Sequence, residues 1–166
     1  FFDAIVRQEP IDEDKLNPAD NCEEFKPMSA ADLEHWRREL ARVRGETRAV
    51  VSGIGGTGFG DIALVPAAFL KHPKGIRDVS EWYISLVERR GYVHRIFDHQ
   101  CEVALQNLAT FAALDADAID VLVICGTDFG TQSSQFCSPA TFHGLFAPYY
   151  RRVNDWVHGH TKWKTF

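Results

Sequence analysis

Residues 119–125, with the sequence IDVLVIC, form the clearest buried β-strand in this chain of 166 residues. The run is apolar and β-branched, and it leads directly into the polar segment 126–135, GTDFGTQSSQ. A second short run, residues 48–52 (RAVVS), enters the glycine-rich loop 53–60 in the same way. Apolar strands that alternate with amphipathic helices predict an α/β fold, in which helices cover a parallel sheet.

Helix signals surround these strands. A helix begins after the N-cap residue Ser29, and a last one opens at Ser138. Pro148 lies within this last helix and is expected to kink it, because a proline cannot donate to the carbonyl of Gly144 four residues earlier. Apolar spacing predicts two more helices, at residues 79–90 and 91–114.

The chain divides into two parts. Residues 1–28 are acidic, contain three prolines and read as an irregular lead-in with a short helix at its start. Residues 29–166 form one α/β domain, and its roughly three strands are too few to close a barrel. The chain begins without Met and ends where residues 161–166 resemble the opening of a strand. We therefore expect an excerpt from a longer polypeptide, with a partial sheet whose exposed edges favour association.

Composition excludes several classes of protein. The net charge of −5 argues against a nucleic-acid partner, which would require a basic surface. No uncharged apolar run approaches the ~20 residues of a membrane span, and the N-terminus lacks the pattern of a signal peptide. The four cysteines contain no C-x-x-C pair, which favours reduced thiols in a cytoplasmic protein. A homo-oligomer is compatible with these features.

The glycine-rich loop formally matches the dinucleotide fingerprint G-x-G-x-x-G at residues 53–58. A dinucleotide fold would continue into a regular helix and a second strand, but Pro66 interrupts the helix and no strand follows before Val79. The glycines instead indicate either a close approach of the backbone to a ligand or a plain tight turn. The sequence leaves both interpretations open.

Asp128 is the strongest candidate for a functional side chain. It follows the most apolar strand, and ligands of parallel α/β folds bind at the carboxyl ends of strands. The alternative is that Asp128 only caps a neighbouring turn. Histidine and cysteine spacing predicts no metal site, because no three ligands lie at a plausible spacing.

Residues 119–153 resemble the uroporphyrinogen decarboxylase superfamily, which also contains methylcobamide-dependent methyltransferases. The resemblance rests on a strand, the acidic loop residue Asp128, a Ser-Pro pair at 138–139, a helix and the Pro-Tyr pair at 148–149. The loop 53–59 also resembles the family's glycine-rich segment. The similarity extends over roughly residues 30–166.

This resemblance implies a (β/α)₈ TIM barrel with its site at the carboxyl ends of the strands. It implies a catalytic role for Asp128. The substrate-binding positions that it implies are Gly55, Gly56, Gly130, Thr131, Gln132 and Tyr149.

The loop sequence Thr-Asp-Phe-Gly-Thr-Gln at 127–132 is nearer to the methyltransferase branch. Such enzymes transfer a methyl group from a corrinoid, held by a partner protein, to a thiol whose pKa a zinc ion lowers. Their zinc motif, His-x-Cys with a later Cys, would follow a strand such as residues 163–166. No cofactor site is therefore expected within this chain.

Two alternatives remain open. The first is decarboxylation of a tetrapyrrole in porphyrin biosynthesis, where Asp128 would stabilise positive charge on a pyrrole ring without any cofactor. Decarboxylases of the family bind substrate carboxylates with an N-terminal arginine pair, and Arg7 is not part of such a pair. The second is a non-catalytic binding module that keeps the pocket and has lost the chemistry.

Changing Asp128 to Asn tests its predicted role, because the substitution keeps the size of the side chain and removes its charge. We expect a loss of activity of ~10²-fold or more in the intact enzyme, with the fold retained. Turnover and circular dichroism of the variant provide the measurement. Normal turnover would identify Asp128 as a turn residue.

Overall fold

A computed structural model describes residues 8–166 of the chain. The short helix expected at the start of the lead-in, and Arg7, fall outside these residues. The described chain is α/β, with about 53% helix and one parallel sheet of three strands. The predicted α/β class and parallel sheet are thus confirmed.

The sheet consists of β1 (Val51–Ser52), β2 (Val121–Leu122) and β3 (Lys164–Thr165), in the order β1-β2-β3. Val51 pairs with Val121, which in turn pairs with Lys164. Backbone pairing continues beyond β2, since Val123 N donates to Ser52 O at 2.8 Å and Ile124 N to Phe166 O at 2.8 Å. The strands are shorter than the apolar runs predict, because the chain leaves the sheet soon after these bonds.

Helices cover one face of this sheet. They are α1 (Ala30–Val43), α2 (Val79–Glu88), α3 (Arg90–Asp115), the single turn α4 (Pro139–Thr141) and α5 (Ala147–His160). The predicted start at Ser29 is confirmed by a capping box, in which Ser29 Oγ accepts from Asp32 N and Asp32 Oδ2 accepts from Ser29 N.

The helix α3 is the centre of the core, and α1, α2 and α5 pack against it. Leu122 of β2 belongs to the same buried cluster as the apolar stripe of α3, and its side chain is fully buried. Other large side chains of this core are Phe97, Leu108, Phe111, Val153 and Val157.

The predicted last helix is interrupted before Pro148 rather than kinked by it. A π-helical turn, Phe142–Phe146, separates α4 from α5, so the predicted continuous helix is interrupted before the proline. Pro148 then lies in the first turn of α5, where a missing N–H breaks no helical hydrogen bond. The missing side chain of Gly144 makes room for Arg90 rather than for the proline ring, because a Cβ at position 144 would lie 2.6 Å from Arg90 Nη2.

The described lead-in, residues 8–28, is integral to the core. It forms the 3₁₀ turns Glu13–Lys15 and Pro18–Asn21, and the second turn packs against α3. Asn21 is buried, and its side-chain amide bonds to both the N–H and the carbonyl of Ile76. Tyr92 of α3 donates to the same Asn21 Oδ1 at 2.7 Å.

The other face of the sheet is exposed in the described residues. The strand register places Val51, Val123 and Phe166 on this face, and they are 60%, 36% and 83% exposed. Residues 48–52 were expected to form a buried strand. That expectation is wrong for Val51, because no described element packs over its face of the sheet.

Gly75 and Gly45 form a matched pair for testing the Asn21 contact. Both have positive φ, +82° and +85°, so alanine at either site is strained by about 1 kcal/mol. A Cβ at Gly75 would clash with Asn21 Oδ1, whereas one at Gly45 would meet nothing within 4 Å. We expect Gly75→Ala to lower the free energy of unfolding by about 2 kcal/mol more than Gly45→Ala, because Asn21 must give up buried hydrogen bonds. Urea unfolding measures the difference, and equal losses would show that the contact with Asn21 is not needed.

Candidate functional site

A cavity of about 390 Å³ lies at the carboxyl ends of β1 and β2. One wall is the glycine-rich loop after β1, and another is the segment 123–126 after β2. Asp61 and Leu64 follow that loop closely in the chain, and the remaining lining residues, Glu24, Phe25 and Gln100, come from more distant parts of the chain. The cavity therefore occupies the edge of the sheet where parallel α/β folds bind their ligands.

The glycine-rich loop owes its shape to backbone conformation. Gly55 and Gly56 have φ of +73° and +80°, which glycine adopts without strain. A Cβ at either position would meet no atom within 4 Å, so the described residues leave open space beside them. The two predicted substrate-binding glycines thus form a turn and also line the cavity.

Gln100 binds this loop through two hydrogen bonds. Its side chain is 1% exposed on α3, and Nε2 donates to the carbonyls of Gly56 at 2.9 Å and Gly58 at 3.3 Å. The sequence interpretation missed this residue. A signal was present, because Gln100 falls on the apolar stripe of α3 with Phe97 and Ala104, and a polar residue there must find hydrogen bonds.

Glu24 reaches the cavity from the lead-in. Its carboxylate binds the guanidinium of Arg77 through two contacts of 2.8 and 3.2 Å, and both side chains are buried. The same guanidinium donates to the carbonyls of Lys74, Leu64 and Asp20. Sequence analysis gave no sign of this pair, since the two residues lie far apart in segments without regular structure.

Asp61 is the second carboxylate of the lining. Its Oδ1 accepts from Ala63 N at 2.9 Å and caps the 3₁₀ turn Ile62–Leu64. Within residues 8–166, no Lys, Arg or His forms an ion pair with it. Sequence reasoning also passed over this residue, although an acidic side chain directly after a glycine-rich loop is a usable signal.

A partly buried hydrogen-bond network supports the wall that follows β2. Cys125 Sγ donates to Tyr150 Oη at 3.1 Å, and Tyr150 Oη lies 3.2 Å from Thr127 Oγ1. Thr127 Oγ1 donates to the carbonyl of Phe59 at 3.1 Å. Burial raises the pKa of Tyr150, so the phenol stays protonated at physiological pH.

The segment around Asp128 folds beside the cavity without lining it. Asp128 is exposed and close to Tyr83, whose pKa is raised first by burial and then by the Asp128 charge. Gly130 and Gln135 form an antiparallel bridge, and Thr131 Oγ1 accepts from the N–H groups of residues 133 and 134. Gln132 is exposed. The catalytic role of Asp128 and the substrate contacts of Gly130, Thr131 and Gln132 stay predictions.

Tyr149 lies between α3 and α5 and is 4% exposed. Its Oη donates to the carbonyl of His94 at 3.0 Å and lies 2.9 Å from His94 Nδ1. The ring packs against Phe59 and Phe97. These contacts describe a residue of the core, and its predicted contact with substrate stays untested.

Neither a metal centre nor a membrane span is present in the part of the chain that the structure describes. No three His, Cys, Asp or Glu side chains of residues 8–166 come close enough together to hold a metal ion. None of the described helices combines the length and apolar character needed to cross a bilayer.

Comparisons with protein-family models, with curated proteins and with solved structures gave no match to this chain. The function is therefore argued from the site itself.

Changing Gln100 to Leu tests whether this side chain holds the glycine-rich loop. The variant leaves the carbonyls of Gly56 and Gly58 without their partner, so we expect the loop amides to exchange at least ~10-fold faster. Gln106→Leu is the matched control, because Gln106 is exposed on the same helix. Hydrogen exchange of a peptide covering residues 53–60 provides the measurement. Equal exchange in the two variants would contradict the assigned role.

Proposed function

We propose that this protein is a cytoplasmic enzyme of the uroporphyrinogen decarboxylase superfamily that transfers a methyl group from a corrinoid to a thiol. The cavity at the carboxyl ends of β1 and β2 is the proposed substrate site. The observation that carries this proposal is the composition of the lining. Among residues 8–166 it is rich in glycine and contains two carboxylates but no Lys, Arg or His.

The barrel architecture is part of the proposal. The three parallel strands follow one another in sequence order, as neighbouring strands of a (β/α)₈ barrel do. Parallel sheets are normally covered on both faces. The exposed face that carries Val51, Val123 and Phe166 would be the inward face of such a barrel, where bulky apolar side chains fill the interior.

The lining favours methyl transfer over tetrapyrrole decarboxylation. A tetrapyrrole that carries several carboxylates requires cationic partners, as charged groups taken out of water generally do. Arg77 is the cation nearest to Glu24, but it is 1% exposed and its guanidinium already binds Glu24 and three backbone carbonyls. It offers no donor to a substrate.

The zinc of such methyltransferases does not fit residues 8–166, which contain no group of three suitable ligands. No step of the reaction is therefore assigned to a metal here. The chain's own contribution, under this proposal, is to bind and orient the small substrate at the edge of the sheet. A corrinoid-carrying protein would be the methyl donor.

Methyl transfer is tested with the protein in its natural full-length form, incubated with methylcobalamin and a panel of small thiols. We expect the absorbance of methylcobalamin to fall only when a thiol is present, with an S-methyl thioether detected by mass spectrometry. A reaction without thiol is the control.

The alternatives give different outcomes in a parallel assay with uroporphyrinogen. Release of carbon dioxide without methyl transfer would establish the decarboxylase. Neither reaction, with a ligand still bound in the cavity, would establish the non-catalytic binding module.

A further inference from the structure

Most polar side chains that line the cavity offer hydrogen-bond acceptors, and the hydroxyl of Thr57 can both donate and accept. Glu24 and Asp61 are carboxylates, and Gln100 contributes an amide. Cys125 is a weak donor, and its thiol hydrogen is already directed to Tyr150. A ligand that meets Glu24, Asp61 and the amide oxygen of Gln100 must therefore bring donors for them.

The chemistry of its partners determines the orientation of Gln100. Two backbone carbonyls lie on one side of the amide, and carbonyls accept hydrogen bonds, so Nε2 must face them. No described residue donates to Oε1. Because every fully buried side-chain N or O atom of the described residues has a partner, Oε1 must be open to the space that Gln100 lines. A buried side chain of the cavity lining thus carries an acceptor that no described residue occupies.

The charge at the cavity is negative. Arg77 neutralises Glu24 from behind, in a pair whose side chains are 1% and 8% exposed. Asp61 has no such counter-ion among the described residues, and only its Oδ1 is occupied, by Ala63 N. A carboxylate without a described counter-ion, in the same lining as an amide oxygen without a described donor, favours a positively charged donor and repels an anion.

We propose that the cavity binds the protonated amine of a small ligand, with Asp61 and Gln100 Oε1 as its acceptors. The next step of this inference rests on the proposed methyl transfer. Under that reaction, the thiol that accepts the methyl group is an aminothiol. The amine end lies at Asp61 and Gln100, and the thiol end lies toward the open mouth of the cavity. Methylation replaces the S–H bond by an S–CH₃ bond, the thiol proton leaves to solvent, and the corrinoid keeps the electron pair of its broken bond to carbon.

Three thiols of similar size test the charge at the buried end: cysteamine (ammonium), 2-mercaptoethanol (hydroxyl) and thioglycolate (carboxylate). Isothermal titration calorimetry at pH 7 on the full-length protein measures binding independently of turnover. We expect cysteamine to bind at least ~10-fold more tightly than 2-mercaptoethanol, because a charge-assisted hydrogen bond replaces a neutral one. Thioglycolate should bind most weakly.

The variant Asp61→Asn provides the second test. It keeps the hydrogen bond from Ala63 N to the side-chain oxygen and removes the charge. We expect the preference for cysteamine over 2-mercaptoethanol to fall to about twofold or less. Asp117→Asn is the matched control, because Asp117 is 80% exposed and pairs with Lys162 at the surface, and it should keep the full preference. If Asp61→Asn does not fold, the three ligands on the unmodified protein still decide.

The outcomes separate this inference from the proposed function. Tight cysteamine binding without any methylated thiol would support the amine site and refute methyl transfer. Methylation that favours thioglycolate or 2-mercaptoethanol would support methyl transfer and overturn the amine site. No measurable binding of cysteamine at millimolar concentration would also overturn it.

Discussion

The buried guanidinium of Arg77 is the interaction on which the arrangement of the site depends. It joins Glu24 and Asp20 of the lead-in, Leu64 after the glycine-rich loop, and Lys74 before α2. A charge this deeply buried is tolerated only when its donors are satisfied, and removal of one partner typically costs about 3–5 kcal/mol. These segments have little regular structure of their own, so the requirement to satisfy one cation positions them together.

The charge of the cavity follows from this arrangement around Arg77. Glu24 and Leu64 both contact Arg77, and both line the cavity. Because the pair with Arg77 neutralises Glu24, Asp61 is left as the carboxylate whose charge is not balanced by a described neighbour. Gln100 adds a rigid amide, since its two bonds to the glycine-rich loop fix one side of the group and leave the other side free. The packing of these segments and the proposed ligand preference thus depend on the same few polar contacts.

Features that depend on neighbouring residues were predictable. The capping box at Ser29 spans only three residues, and the apolar stripe of α3 repeats along one helix, so both can be read locally. The run at 119–125 correctly indicated a strand of a parallel sheet, and Gly55 and Gly56 line the cavity, whereas Asp128, for which the strand-end argument was made, does not. Lengths and breaks were less predictable. The π-helical turn Phe142–Phe146 precedes Pro148, and Gly144 within this turn lies close to Arg90, a contact between distant residues that local sequence does not indicate.

The amino-acid sequence by itself determined the α/β class, the main helices and the edge of the sheet where the cavity lies, since hydrophobic period and capping are local properties. Only the tertiary structure decided which polar side chains meet there. Glu24 and Arg77 are separated by 53 residues, and Gln100 lies 44 residues from Gly56. No periodic pattern encodes such pairs. They form because a buried charge or amide must find its partners wherever the packed chain places them.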